Sequence, residues 1–185
     1  MTRLWLVRHG ETEWSRDGLH TSTTDLPLTG NGEETARSLA PRLAGESFAL
    51  VLSSPRQRAL RTAALAGFAR PETTEDLAEW AYGDYEGVST EEIRRTVPGW
   101  SVWSHPVPGG EDAAAVTERL DRVVARVREV DGDVLAFAHG HSLRALAARW
   151  LGLEVRDGRL LRLDTATVSQ LGFERENPVV LRWNG

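Results

Sequence analysis

Leu4-Trp5-Leu6-Val7 is apolar at every position and runs straight into Arg8-His9-Gly10. A strand with one wet face alternates apolar and polar residues, so an unbroken apolar run fits a strand covered on both faces. Val134-Leu135-Ala136-Phe137-Ala138 repeats the pattern and leads into His139-Gly140-His141; Leu50-Val51-Leu52 leads into Ser53-Ser54-Pro55-Arg56-Gln57-Arg58. Between them the period changes. Val116, Leu120, Val123, Val127 and Val130 recur at helical spacing, and Gly132 supplies a stop. Strands alternating with helices predict an α/β fold, a three-layer α/β/α sandwich on a mixed, mainly parallel sheet. Ligands bind such sheets beyond the carboxyl ends of the strands, where the His-Gly pairs and the arginines fall.

The same reading predicts helices over 33–43, 56–65, 89–96 and 142–151, with Pro41 forcing a kink or restart in the first. Ser89 and Glu92 have capping-box spacing, and Gly152 is placed to end the last helix. Residues 168–173 and 179–183 read as a closing pair of strands. No repeat or linker interrupts the chain, so one domain over 1–185 is expected, with 98–110 as an internal loop.

Composition removes whole classes of chemistry. The 185 residues include no cysteine, which excludes disulfides, iron-sulfur clusters and thiol nucleophiles. All 22 basic residues are arginine, which excludes a Walker lysine and a pyridoxal Schiff base. The net charge of -5 gives no general attraction to nucleic acid or to an anionic membrane. No charged leader followed by an apolar segment opens the chain, and no apolar run approaches about 18 residues. A cytoplasmic protein is expected, whose partner is a small molecule.

Two histidines and at least two arginines thus converge at one sheet edge. Phosphate suits them, because guanidinium forks pair bidentately with its oxygens and an imidazole adds a donor or a nucleophilic nitrogen. A lone His-Gly or an arginine at a helix start is usually structural; joint placement after three strands carries the argument.

The run Leu6-Val7-Arg8-His9-Gly10-Glu11-Thr12-Glu13-Trp14 resembles the signature of the histidine phosphatase superfamily, the phosphoglycerate-mutase-like fold. Residues 25–29, 53–59, 79–87 and 138–144 follow in that family's order. The resemblance implies that His9 is a nucleophile that becomes phosphohistidine, that Arg8, Arg58 and His139 hold the phosphoryl oxygens, and that Glu79 is the proton donor. It implies no metal and no cofactor, since phosphoryl transfer depends mainly on positioning and charge stabilisation. The 79–87 and 137–144 motifs are most similar to the sedoheptulose-1,7-bisphosphatase group. Ser15 after Trp14 fits that group, where mutases usually carry asparagine. Thr21 and Ser22 are expected to contact phosphate or substrate hydroxyls, with Ser22 standing where glycine is often found. A mutase must shield phosphohistidine from water under a closing segment. The chain is short and ends at Gly185, so hydrolysis is expected over mutase transfer. Of Trp100 and Trp103, in the loop expected at the mouth of the site, an anchoring role is favoured over a sugar platform.

Three other readings compete. Phe137-Ala138-His139-Gly140-His141-Ser142 has the look of a hydrolase nucleophile elbow, but no histidine follows Ser142 and Arg144 occupies the last glycine position. His139-x-His141 could share a metal, although no carboxylate-rich ligand motif accompanies it. A non-catalytic phospholigand-binding protein would keep the fold, yet would be expected to lose His9, Arg58, His139 or Glu79, and all four are present.

Overall fold

The computed structural model describes residues 2–185. The chain runs β1 (Leu4–Arg8), α1 (Glu13–Asp17), α2 (Gly30–Arg37), α3 (Ala40–Leu43), β2 (Phe48–Ser53), α4 (Gln57–Leu65), β3 (Glu72–Thr73), α5 (Thr90–Thr96), α6 (Ala113–Arg128), β4 (Asp133–Ala138), α7 (Gly140–Trp150), β5 (Val168–Glu174) and β6 (Asn177–Arg182). The sheet order is β3-β2-β4-β1-β5-β6, with the first four strands mutually parallel and β5 and β6 antiparallel. The expected mixed, mainly parallel sheet is therefore present.

Strand alternation divides the core between two faces. Leu4, Leu6, Val134, Ala136 and Ala138 pack with Val116, Leu120, Val123 and Val127 of α6 and Leu143 and Leu146 of α7. Trp5, Val7, Leu135 and Phe137 face the other way, onto Leu39, Leu43 and Ala63. Every one of these side chains is less than a tenth exposed, which is why the strands read as continuous apolar runs.

Several local expectations hold. Ser89 accepts from Glu92 N while the Glu92 carboxylate accepts from Ser89 N, the reciprocal capping pair. Pro41 stands in the first turn of α3, where its missing N–H costs nothing, so the chain restarts there as a second helix. Other boundaries move. Helix α2 begins at Gly30, with the Thr29 hydroxyl accepting from Gly32 N at 3.0 Å, and residues 155–160 form a 3-10 turn.

Candidate active site

Strand register builds the site. Arg8 is paired with Ala138 across β1 and β4, and Ser53 with Phe137 across β2 and β4, so three parallel strands end level. Two further bonds extend the ladder past the strands, His9 N to Ala138 O at 3.0 Å and Ser54 N to Phe137 O at 2.9 Å. His9, His139 and Ser54 consequently line up side by side, with the His9 and His139 ring centroids 5.2 Å apart.

His9 has one nitrogen tied and one free. Its Nδ1 lies 2.7 Å from Gly10 O, and a carbonyl can only accept, so Nδ1 carries the proton. Nε2 is then a bare lone pair with no hydrogen bond to the described residues. Burial, followed by the charges of Arg58 and Arg8, pushes His9 well below the ordinary imidazole value of 6.5. The neutral form is the nucleophilic one.

Arg58 and His139 stand behind this ring. Arg58 Nε donates to His139 Nδ1 at 3.2 Å, which places the His139 proton on Nε2, 2.7 Å from Ser54 Oγ. Arg58 also reaches Thr24 O, Thr21 O and Ser22 O, and is fully buried. Burial lowers the guanidinium of Arg58 from its usual range, while Glu79 acts in the opposite direction. Arg8 donates from Nη1 to Leu163 O at 2.6 Å, but its buried Nε has no partner. That sealed N–H is a cost to the fold, whereas Nη2 makes no hydrogen bond to the described residues and stays available.

Glu79 shares the cavity wall with His9 and is tied to the first turn of α7. Its Oε1 accepts from Trp80 N at 2.9 Å and Ser142 N at 2.7 Å, and its Oε2 accepts from His141 N at 3.0 Å. Oε2 thus keeps a free lone pair, the place where a proton can be carried. A cavity of about 180 Å3 is lined by Arg8, His9, Ser15, Thr21 and Glu79, together with His20, Tyr82, His141 and Arg144.

Not every expected residue lines that cavity. Ser22 turns away: its hydroxyl donates to Glu86 and accepts from Tyr82 N, so it braces a loop. Ser15 and Thr21 do line the cavity, although the Ser15 hydroxyl is engaged with Thr12 in capping α1. Arg58 and His139 adjoin His9 without appearing on the cavity wall. Four polar wall residues are not among the expected site residues: His20, Tyr82, His141 and Arg144, of which His141 enters the sequence reading only as a metal ligand. Tyr82, His141 and Arg144 sit inside the quoted motifs, which was the available signal. The Tyr82 hydroxyl lies 2.5 Å from His141 Nδ1, and the His20 ring lies 4.6 Å from that of Tyr82. Arg144 lies 4.7 Å over Trp103 and spends Nε and Nη2 on Gly158 O and Arg159 O, which leaves Nη1 free. Trp100 is 1% exposed and anchors the loop through Nε1 to Pro106 O.

The competing readings fare differently. Ser142 is sealed, its hydroxyl buried without a partner, and cannot serve as a nucleophile elbow. His139 and His141 are committed to different neighbours, Arg58 with Ser54 and Tyr82, so they do not form a shared ligand pair.

The family model "Histidine phosphatase superfamily (branch 1)" matches residues 4–185. The chain belongs to the histidine phosphatase superfamily. An acid phosphatase of Mycobacterium tuberculosis is 45% identical over 177 residues, covering 93% of this chain and 87% of the relative. A sedoheptulose 1,7-bisphosphatase of Saccharomyces cerevisiae is 36% identical over 187 residues, covering 83% and 69%. The solved structure of a Mycobacterium tuberculosis open-reading-frame product superposes with a TM-score of 0.93 at 41% identity, covering 99% of this chain and 97% of that one. This histidine phosphatase is therefore an enzyme, a phosphoric monoester hydrolase whose homologues include several phosphatases. Among the described residues no helix is long and apolar enough to cross a membrane.

Proposed function

We propose that this histidine phosphatase hydrolyses small phosphorylated metabolites, sugar phosphates or bisphosphates, through a phosphohistidine on His9 and without a metal. The observation that carries the reading is the His9 ring: Nδ1 is fixed by Gly10 O, Nε2 is bare, and Arg8 and Glu79 share the same cavity. In the first step the Nε2 lone pair attacks phosphorus and the ester P–O bond breaks. Glu79 Oε2 gives its proton to the leaving oxygen. In the second step the Glu79 carboxylate takes a proton from water, whose oxygen attacks the phosphohistidine and releases phosphate and neutral His9. Arg8, whose Nη2 is unengaged, meets the phosphoryl oxygens from the wall; Arg58 and His139 stand behind the ring.

Cavity size favours small substrates over peptides, since about 180 Å3 is below the usual range for drug-sized ligands. The free Nη1 of Arg144 offers a second anionic group a partner, which favours bisphosphates, and His20 and Tyr82 offer polar edges to sugar hydroxyls. The test is a phosphate-release panel of sugar mono- and bisphosphates, 3-phosphoglycerate, nucleotides and phosphopeptides, run with and without EDTA, with mutase product measured in parallel. Sugar phosphates should lead, EDTA should leave rates unchanged, and rapid quenching should trap an acid-labile phosphoenzyme that His9→Ala cannot form. A phosphoenzyme that survives in His9→Ala, or a divalent-ion requirement, overturns the mechanism.

A further inference from the structure

Glu79 lies on a stretch, residues 78–82, that belongs to neither helix nor strand, so no backbone ladder fixes it. An ion pair between a buried arginine and a half-buried glutamate takes that role. Arg119, on α6 and 7% exposed, sends Nε and Nη2 to the two carboxylate oxygens of Glu111 at 2.7 and 3.0 Å. Its Nη1 donates to two carbonyls that precede Glu79, Asp76 O at 2.9 Å and Ala78 O at 2.8 Å. Glu111 closes the bracket from the other side. Its Oε2 accepts from Ala81 N at 2.9 Å, its own N–H donates to Ala81 O at 2.9 Å, and its carbonyl accepts from Trp80 Nε1 at 2.9 Å.

The backbone is thus gripped on both sides of Glu79 by one guanidinium-carboxylate fork, the most directional ion pair a protein can make. Neither Arg119 nor Glu111 lines the cavity that holds His9. A neighbouring α6 arginine has a different character: Arg126 reaches only the Glu72 carboxylate, and both partners are substantially exposed.

We propose that Arg119 and Glu111 are positioning residues for the acid-base carboxylate, setting where Glu79 Oε2 stands and thereby controlling protonation of the leaving oxygen. The proposal rests on the reading of Glu79 as proton donor. Its physical content is that proton transfer needs heavy atoms within hydrogen-bond reach, so a small displacement of the stretch is felt most by substrates that need the proton most.

The test is a series of phosphomonoesters from a sugar phosphate through phenyl phosphate to p-nitrophenyl phosphate, whose leaving group departs without a proton. Arg119→Met should lower kcat/KM, which reports only the steps up to phosphohistidine formation, about 10- to 100-fold on the sugar phosphate and only about threefold or less on p-nitrophenyl phosphate. Glu111→Gln keeps the volume and one acceptor oxygen, should show the same slope with a smaller loss, and carries the comparison where Arg119→Met fails to fold. Arg126→Ala should keep the parent profile. Adding Arg119→Met to Glu79→Gln should cost no further leaving-group dependence, because the group being positioned is gone. Equal losses of kcat/KM on all substrates, or a lowered melting temperature with the parent profile, overturn the proposal. Should Glu79→Gln itself show no leaving-group dependence, the acid assignment fails; a steep Glu79→Gln profile beside a flat Arg119→Met profile sinks the positioning role alone.

Discussion

The Nδ1 proton of His9 is spent on Gly10 O, and burial with two guanidinium neighbours keeps a second proton off the ring. A solvent-exposed imidazole near pH 6.5 would be half charged and half useless as a nucleophile. Lowering the pH through 6.5 should therefore leave the His9 ring in its neutral pattern, as read from the nitrogen chemical shifts of selectively labelled protein; a titration centred at 6.5 contradicts the site described above. At this scale the sequence was informative where a side chain follows a strand. His9, His139 and Arg8 were legible because each lies within one residue of a regular strand end. Ser22, His20 and Tyr82 were not. They sit on irregular backbone, where no period states which way a side chain turns, and the hydroxyl of Ser22 goes to Glu86 instead of the cavity.

Elements position the site through contacts too close for side chains. A Cβ on Gly10 would meet Gly32 O at 2.4 Å, and one on Gly32 would meet Glu11 O at 2.1 Å. The segment after β1 and the first turn of α2 therefore touch backbone to backbone, and Gly30-Asn31-Gly32, which precedes the helix expected from residue 33, is itself the start of that helix. Gly10→Ala and Gly32→Ala should each cost about 1–3 kcal/mol in urea unfolding, the usual range for overpacking. Gly10→Ala should also lower kcat by shifting the carbonyl that holds Nδ1; parent-like values of both would show that the contact yields freely. The long strands were legible as unbroken apolar runs, and α6 because helical spacing repeats several times within it. Strand β3 has only two residues and α1 only five, too short for a period to declare itself. Helix α1 is stabilised by Thr12 and Ser15 in a reciprocal cap that lacks the usual acidic partner.

For the molecule as a whole, buried neutral histidines link stability to pH. His9, His139 and His141 are held well below 6.5, and His20 is lowered to about 4, in each case mainly by burial. The unfolded chain takes up these protons near pH 6.5 while the native state refuses them, so stability is full above that pH and falls as acid is added. Each withheld proton costs about 1.4 kcal/mol per pH unit below 6.5. The urea midpoint should hold steady above pH 7 and drop markedly by pH 5, and His20→Phe should make the drop shallower by about one proton's share. A midpoint that rises on acidification would contradict the burial of these rings. The parallel alignment of β1 and β4 has one more result. The gap between the two imidazoles is close to the spacing of adjacent strands, about 4.8 Å, so the sheet itself acts as a ruler for the reaction centre. Substitutions at Arg144 or His20 would redraw the polar lining of the cavity while that fixed gauge, set by backbone pairing, is left untouched.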